Sequence, residues 1–304
     1  MDAEFDAVTA VPGALPRRPL GSGDEWVVLP DGRRFWGRFG AAGLLVSSPE
    51  GVLLQQRAGY SHFGGTWGLP GGARHEGESA IDAAVREAGE EAGVPADGLR
   101  LHFAHVLDLG AWSYTTVSVS VPEAFDPVIG DAESEALAWV PVEAVARLPL
   151  HPSFGEAWPD LRAALEHRPV LVVDGANVVG TRPNGWWRDR SGAATGLAQS
   201  LQALTAVGMP SGALGLPLTR WWPQIRLVLE GRAKDADTDA APDVVVDRAG
   251  TDGDTAVLEY LAIAPRPHTV VVTADRTLAA RAEELGARIL SPAALLDYLE
   301  TPSP

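Results

Sequence analysis

The 304-residue chain is predicted to hold two domains of different class, a mixed α+β domain followed by an α/β domain built on a parallel sheet. Three observations predict this. The first half alternates short apolar runs with turn residues and contains few helical stretches. The segment "HPSFGEAWPDLRAALEHRP", residues 151–169, places a short helix between prolines and marks a seam. Beyond it, near-continuous valine-rich runs alternate with helical stretches, as in a sheet covered on both faces. The resulting boundaries are a flexible tail over 1–23, a first domain over 24–167 and a second over 168–304.

Residues 1–23 are rich in proline, glycine and small side chains, and carry acids where a secretory leader needs bases. "GLLVSS" and "GVLLQQR" read as strands on either side of a Pro49–Glu50–Gly51 turn. "RLHFAHVLDLG" and "WSYTTVSVSV" are two more, the second alternating polar and apolar faces from Tyr114 onward. "ALAWVPVEAVARL" reads as a strand that enters a helix at Pro141. After the seam, "VLVVDG", "IRLVLEG", "DVVVDRAG" and "HTVVVTAD" are the strands, with helices expected near 193–207, 254–263, 276–285 and 292–300.

Composition narrows the function classes. A hydrophobic content of 46% with 21% charged residues is that of a folded chain. The absence of cysteine excludes disulfides, thiolate metal sites and cysteine nucleophiles. No run of about 18 apolar residues occurs, so no membrane span is expected and a soluble, cytoplasmic protein is the default. The net charge of −16 is unevenly shared. Residues 1–167 hold 11 arginines against 24 acids, a balance of −13, whereas 168–304 hold 13 basic residues against 16 acids, a balance of −3. The first half therefore repels nucleic-acid backbones unless cations intervene, while the second leaves RNA open as a partner.

Within the acidic half, "GGARHEGESAIDAAVREAGEEAGV" (71–94) carries the strongest chemical signal. A helix over Ser79–Ala92, closed by Gly93, puts Ile81, Ala84, Val85, Ala88 and Ala92 on one apolar stripe. Glu87, Glu90 and Glu91 then share an adjoining face at i, i+3 and i+4, where like charges repel by a few tenths of a kcal/mol even in water. Oxygen-only ligands on a rigid helix suit Mg²⁺, which removes that repulsion; a solvated acidic face is the competing reading. The glycines of "GLPGG", Gly72 among them, let backbone approach a ligand or metal, and Arg86 adjoins the cluster.

The run Gly72, Glu78, Arg86–Glu87, Ala88, Glu90–Glu91, Gly93 and Val94, at those spacings, resembles the Nudix box, with Ala88 where the family expects a larger aliphatic residue. The resemblance extends over about 26–150. It implies an α/β/α sandwich around a mixed sheet and Mg²⁺- or Mn²⁺-dependent hydrolysis of a nucleoside diphosphate derivative. It further implies that Glu87, Glu90 and Glu91 hold metal and that one of them, or a glutamate outside the box, activates water. Glu78 and Arg86 would form a supporting pair, and a downstream ligand is sought at Glu133 or Glu135. Trp112 or Tyr114 in "GAWSYTTV" is a candidate for stacking on a base, with core packing as the alternative.

In the second half, Asp174 and Asp275 each follow a valine-rich strand, and Asp252 and Asp254 open a helix. Ligand crevices of open parallel sheets lie beyond the carboxyl ends of the strands, so these acids can converge on one metal; each alone also suits a helix cap. "VVDGANVV", "TDGDTAVLEYL" and "VVVTADRTLAARAEELGA" resemble the NYN (YacP-like) branch of PIN-like nucleases. That resemblance implies metal-dependent RNA cleavage, with Asp174, Asp254 and Asp275 as ligands, Asn177 in support, Asp252 competing with Asp254, and a further acid among Asp235, Asp237, Asp239 or Asp243. The tryptophan pairs Trp186–Trp187 and Trp221–Trp222, each among arginines, are either nucleic-acid stacking surfaces or core. Two alternatives remain: a nucleotide sensor that regulates the second domain, and a second domain serving only for interaction.

Overall fold

The computed structural model describes residues 7–9, 21–181, 186–263 and 268–300. Most of the 1–23 tail and the side chain of Trp186 lie outside the described residues. Contacts divide the chain into two compact units, Met1–Leu165 and Glu166–Pro304.

The first unit contains β1 (Ala7–Thr9), β2 (Trp26–Val28), β3 (Arg34–Trp36), β4 (Ala41–Ser48), β5 (Gly51–Arg57), β6 (Trp67–Gly68), β7 (Gly71–Ala73), α1 (Ala80–Ala92), β8 (Arg100–Asp108), β9 (Ser113–Ser120), β10 (Ser134–Val140) and α2 (Pro152–Ala164). Its main sheet runs β1-β10-β5-β4-β9-β8, with β6 on β5 and β7 on β4. Strands β4 and β9 pair in parallel whereas their other neighbours are antiparallel, so the sheet is mixed. Alternate residues Ala42, Leu44 and Val46 of β4 and Val117 and Val119 of β9 bury one face of the sheet. Against that face lie Ala83, Ala84, Ala88 and Ala92 of α1, where each buried methyl contributes about 0.8 kcal/mol. Ile81 and Val85 flank this contact half-buried, since the smaller alanines let the helix come close to the strands. Ser79 caps α1 by accepting the Asp82 N–H at 3.0 Å, and Gly93 ends it in the left-handed conformation at φ 66°. The helix expected from Pro141 is instead a turn and one short 3₁₀ segment, Val145–Arg147; Leu148–Pro149–Leu150 then breaks the periodicity before α2 begins at Pro152.

The second unit contains β11 (Val170–Asp174), α3 (Gly175–Gly180), α4 (Arg190–Val207), β12 (Met209–Pro210), α5 (Ser211–Leu214), β13 (Arg220–Trp221), β14 (Gln224–Leu229), β15 (Val244–Arg248), α6 (Gly253–Ile263), β16 (Thr269–Val272), α7 (Arg276–Glu284), β17 (Arg288–Leu290) and α8 (Pro292–Glu300). Five of these strands form an all-parallel sheet in the order β15-β14-β11-β16-β17. The chain thus starts in the middle, builds outward through β14 and β15, then crosses to the other side at β16. The reversal point lies between β11 and β16, where crevices open at the carboxyl ends of parallel strands. All five residues of β11 are buried, as a strand covered on both faces requires.

Candidate active site

Strand β7 and helix α1 build the acidic site of the first unit. Glu87 and Glu91 lie one turn apart on the sheet-facing side of α1 and are only 8% and 5% exposed, whereas Glu90 is exposed. Glu91 accepts the Gly71 N–H at 2.8 Å. A Cβ on Gly72 would lie 2.6 Å from Oε1 of Glu87, and one on Gly71 would lie 2.4 Å from the Ala42 carbonyl oxygen. The two glycines are therefore squeezed from opposite sides, Gly71 by the neighbouring strand and Gly72 by a carboxylate.

Arg86 joins the acids into one network. Its Nε and one terminal nitrogen donate to the two oxygens of Glu78 at 2.8 and 2.9 Å. It also donates to Glu87 at 2.8 Å and to the Ala73 carbonyl at 3.0 Å, and stands 3.5 Å from Glu90. The Arg86 hydrogen bond is the main reason the Glu78 carboxyl lies below the usual glutamate range, and Glu78 in turn holds the guanidinium firmly protonated. Glu78 also receives the His75 N–H, fixing the loop between β7 and α1.

Two buried carboxylates on one helix face are costly unless something positive meets them. Arg86 meets Glu87, and a backbone N–H meets Glu91. This oxygen-rich surface beside a side-chain-free strand is of the chemistry that Mg²⁺ or Mn²⁺ takes. Among the described residues, no three His, Asp or Glu side chains already form a cage for an ion.

The other candidates of this unit are dispersed. Glu133 and Glu135 are exposed, while Asp131, which the sequence reading passed over, is buried at 3% and accepts the Glu133 N–H. Trp112 is 8% exposed, stacks on Phe35 at 4.4 Å and donates to the Trp36 carbonyl, which places it in a small core with Leu29 and Ala41. Tyr114 packs beside that cluster, its hydroxyl so close to β4 that a Cβ on Gly43 would lie 2.1 Å away. Burial first, and the Glu91 charge second, push its phenol well above the usual range. The core alternative describes both aromatics.

In the second unit, Asp174 ends β11 at the reversal point, only 4% exposed. It caps α3 through the Asn177 N–H, and also receives the Asn177 side-chain amide at 2.6 Å and the Thr273 hydroxyl at 3.0 Å. Burial raises its carboxyl above the usual aspartate range against the pull of those bonds. Asp275 caps α7 through the N–H groups of Thr277 and Leu278. Asp252 does the same for α6 through Thr255, a bond that lowers its carboxyl. Asp254 is different: burial, and then the charges of Asp174, Asp275, Asp252 and Glu230, raise it. Asp252 is thus engaged as a cap, while Asp254 feels the charges of the other acids.

Glu230, at the end of β14, was not foreseen. It accepts the Gly253 N–H at 2.7 Å and so ties β14 to the start of α6. In the Asp235–Asp243 stretch, Asp237 accepts the Asp239 N–H and Asp243 accepts the Gln202 side-chain amide of α4. Trp221 and Trp222 are buried at 0% and 9%, and their ring nitrogens donate to the Pro217 and Ala206 carbonyls, so this pair is core. Trp187 is 57% exposed.

Comparison with known proteins bears on the first unit. A family model described as the NUDIX domain matches residues 37–161. The chain is similar to the putative 8-oxo-dGTP diphosphatase 3 of Mycobacterium tuberculosis, 46% identical over 174 residues, covering 54% of this chain and 80% of that protein. It is 37% identical over 153 residues to a nucleoside triphosphate pyrophosphatase/Nudix hydrolase fusion protein of Bifidobacterium longum, covering 47% of this chain and 32% of that one. Among solved structures, a Nudix hydrolase from M. smegmatis, RenU, shares 47% identity over 47% of this chain and 95% of its own, with a TM-score of 0.44. No helix among the described residues is long and apolar enough to cross a membrane.

Proposed function

Since this chain belongs to the Nudix family and is a pyrophosphohydrolase, we propose that its first unit cleaves a phosphoanhydride of an oxidised purine nucleoside triphosphate such as 8-oxo-dGTP. The substrate is taken from the names of its relatives. The observation that carries the chemistry is the burial of Glu87 and Glu91 against Gly71 and Gly72, with Arg86 between them and Glu78. In the proposed site Glu87, Glu90 and Glu91 are the carboxylates that hold Mg²⁺ or Mn²⁺, and Gly72 offers its bare backbone to the same ion. A bound divalent cation would neutralise phosphate charge and lower the pKa of water. Arg86 orients the Glu87 carboxylate, and Glu78 fixes Arg86. Water adds to one phosphorus, the bond to its bridging oxygen breaks, and the proton lost by water passes to a carboxylate of the set. Glu133, whose side chain is exposed and whose N–H donates to Asp131, is the proposed downstream ligand from outside the helix.

The test is incubation of the full chain with Mg²⁺ and a panel of nucleoside triphosphates and diphosphate derivatives, with products identified by mass. Release of pyrophosphate and a nucleoside monophosphate supports the reading. Tight nucleotide binding without turnover would support the sensor.

A second reading rests on Asp254, whose carboxyl feels Asp174, Asp275 and Glu230 around the reversal point of the parallel sheet. We propose that Asp174, Asp254 and Asp275, with Asn177 in support, hold a divalent cation for phosphodiester cleavage of single-stranded RNA, in the manner of PIN-like nucleases. Asp174→Asn is expected to abolish Mg²⁺-dependent RNA cleavage by the purified chain. Equal cleavage by the variant would leave these aspartates as helix caps.

A further inference from the structure

With Trp112 and Tyr114 packed inside, the aromatic surface that the first unit turns outward lies elsewhere. The β2–β3 hairpin presents Trp26 and Trp36, 41% and 37% exposed, edge to face at 5.3 Å. The Arg34 guanidinium covers Trp26 at 4.9 Å. Across from the hairpin, the loop between β5 and β6 brings His62 edge-on to Trp26 at 6.4 Å and holds out Phe63, 44% exposed.

Phe63 is held there at a cost. Its φ of 56° is the left-handed conformation, unfavourable for a bulky residue and kept only where surrounding structure enforces it. The enforcement is visible. The Thr66 hydroxyl donates to the Phe63 carbonyl at 2.6 Å, the Arg57 Nε to the His62 carbonyl at 3.0 Å, and His151 packs edge-on to the Phe63 ring at 4.8 Å. Burial drives the His151 imidazole down to about 4, so at neutral pH the ring behind Phe63 carries no charge.

The open end of the hairpin is anchored on the segment that joins β7 to α1. The residues leading into the hairpin rest on the strand and loop that follow Gly72: Ser22 receives the Glu76 N–H, and a Cβ on Gly23 would lie 1.9 Å from the Arg74 carbonyl oxygen. On the other strand of the hairpin, at the same open end, a Cβ on Gly37 would lie 3.5 Å from the Ala73 Cα. A substrate whose phosphates sit against Glu87, Glu91 and Gly72 therefore has an aromatic surface beside it for its uncharged, flat end. An acidic unit favours such a base over a nucleic-acid strand.

We propose that Phe63 and Trp26 form the subsite that takes the purine of the substrate, with His62, Trp36 and Arg34 as its walls. This assignment rests on the pyrophosphohydrolase reading for the location of the phosphates. Its readout is equilibrium binding, which needs no turnover.

The test is calorimetric titration of the full chain, in Mg²⁺, with a non-hydrolysable guanine nucleoside triphosphate and with inorganic tripolyphosphate. The wild type is expected to prefer the nucleotide by at least about tenfold, the order that one base on an aromatic ring supplies. Phe63→Gly removes the ring and also relieves the left-handed strain, so it is expected to keep tripolyphosphate affinity and lose most of the preference. Phe63→Tyr is expected to retain the preference. A Phe63→Gly protein that still prefers the nucleotide tenfold, or a wild type that does not distinguish the ligands, overturns the subsite. If turnover fails in every substrate while the Phe63→Gly effect persists, the subsite stands and the hydrolase reading falls.

Discussion

Arg86 grips both oxygens of Glu78 in a fork, at 2.8 and 2.9 Å, eight residues back along the chain. The pair ties the loop after β7 to the helix that carries the other acids. Because the Glu78 carboxyl lies below its ordinary 4.5, its stabilising contribution is present above that pH and is lost as pH falls through the lower folded value. Urea midpoints of wild type and Glu78→Gln should therefore differ at about pH 7 and draw together as the pH falls below 4.5 and through the lowered folded value. A constant difference would remove the ion pair from the explanation.

Gly72→Ala should keep the fold and lose the chemistry. The new methyl meets the movable end of Glu87 at 2.6 Å, so the carboxylate turns away rather than the strand. Hydrolysis is expected to fall at least about 100-fold, the cost of a small misplacement at a reacting centre. The Mg²⁺ concentration for half-maximal rate should rise in parallel. Kinetics indistinguishable from wild type would move the metal away from Glu87.

Glu90 is exposed, with Arg86 3.5 Å away as an ion partner. Glu90→Gln is thus expected to change stability by less than about 0.5 kcal/mol, as surface substitutions do. If Glu90 is a metal ligand, the same variant lowers turnover by orders of magnitude. An unchanged rate in the mass-based assay excludes this helix face as the metal site.

Asp254 gives the opposite pH signature to Glu78. Its carboxyl is raised above 3.8 by burial and by four acidic neighbours, so its charge destabilises the folded unit at neutral pH and that strain is relieved as pH falls through the raised value. Asp254→Asn should consequently be more stable than wild type at about pH 7, with the gap closing as pH falls from the raised value to 3.8. Mg²⁺ should raise the melting temperature of wild type more than that of the variant. Equal shifts would argue against cation binding at Asp254.

The acidic helix was legible because its signals are local. Ser79 as cap, Gly93 as terminator and the alanine stripe all lie within one helix, and the i, i+3, i+4 spacing of the glutamates fixes their shared face. The parallel sheet was legible for a similar reason, since a strand such as Val170–Val173 with no polar residue must be covered on both sides. Non-local relationships were not legible. Glu230 meets Gly253 across 23 residues, and no periodicity links them. Trp26 follows Asp24–Glu25 and Trp112 follows Gly110–Ala111, and neither local context says which ring is covered; Phe35 stacks on Trp112 and leaves Trp26 exposed. The left-handed Phe63 carries no sequence mark, because the residue type argues against the conformation it adopts.

The order β15-β14-β11-β16-β17 also dictates how this unit must be made. β11 leaves the ribosome early with every residue destined for burial, but one of its two edges stays open until Thr269–Val272 has been synthesised. At 5–20 residues per second, the intervening hundred residues leave a bare valine-rich edge for roughly 5–20 s. Such an edge is a template for pairing with another nascent chain. The second unit therefore depends on being finished, and fragments ending before β16 are expected to form inclusion bodies rather than a smaller soluble domain.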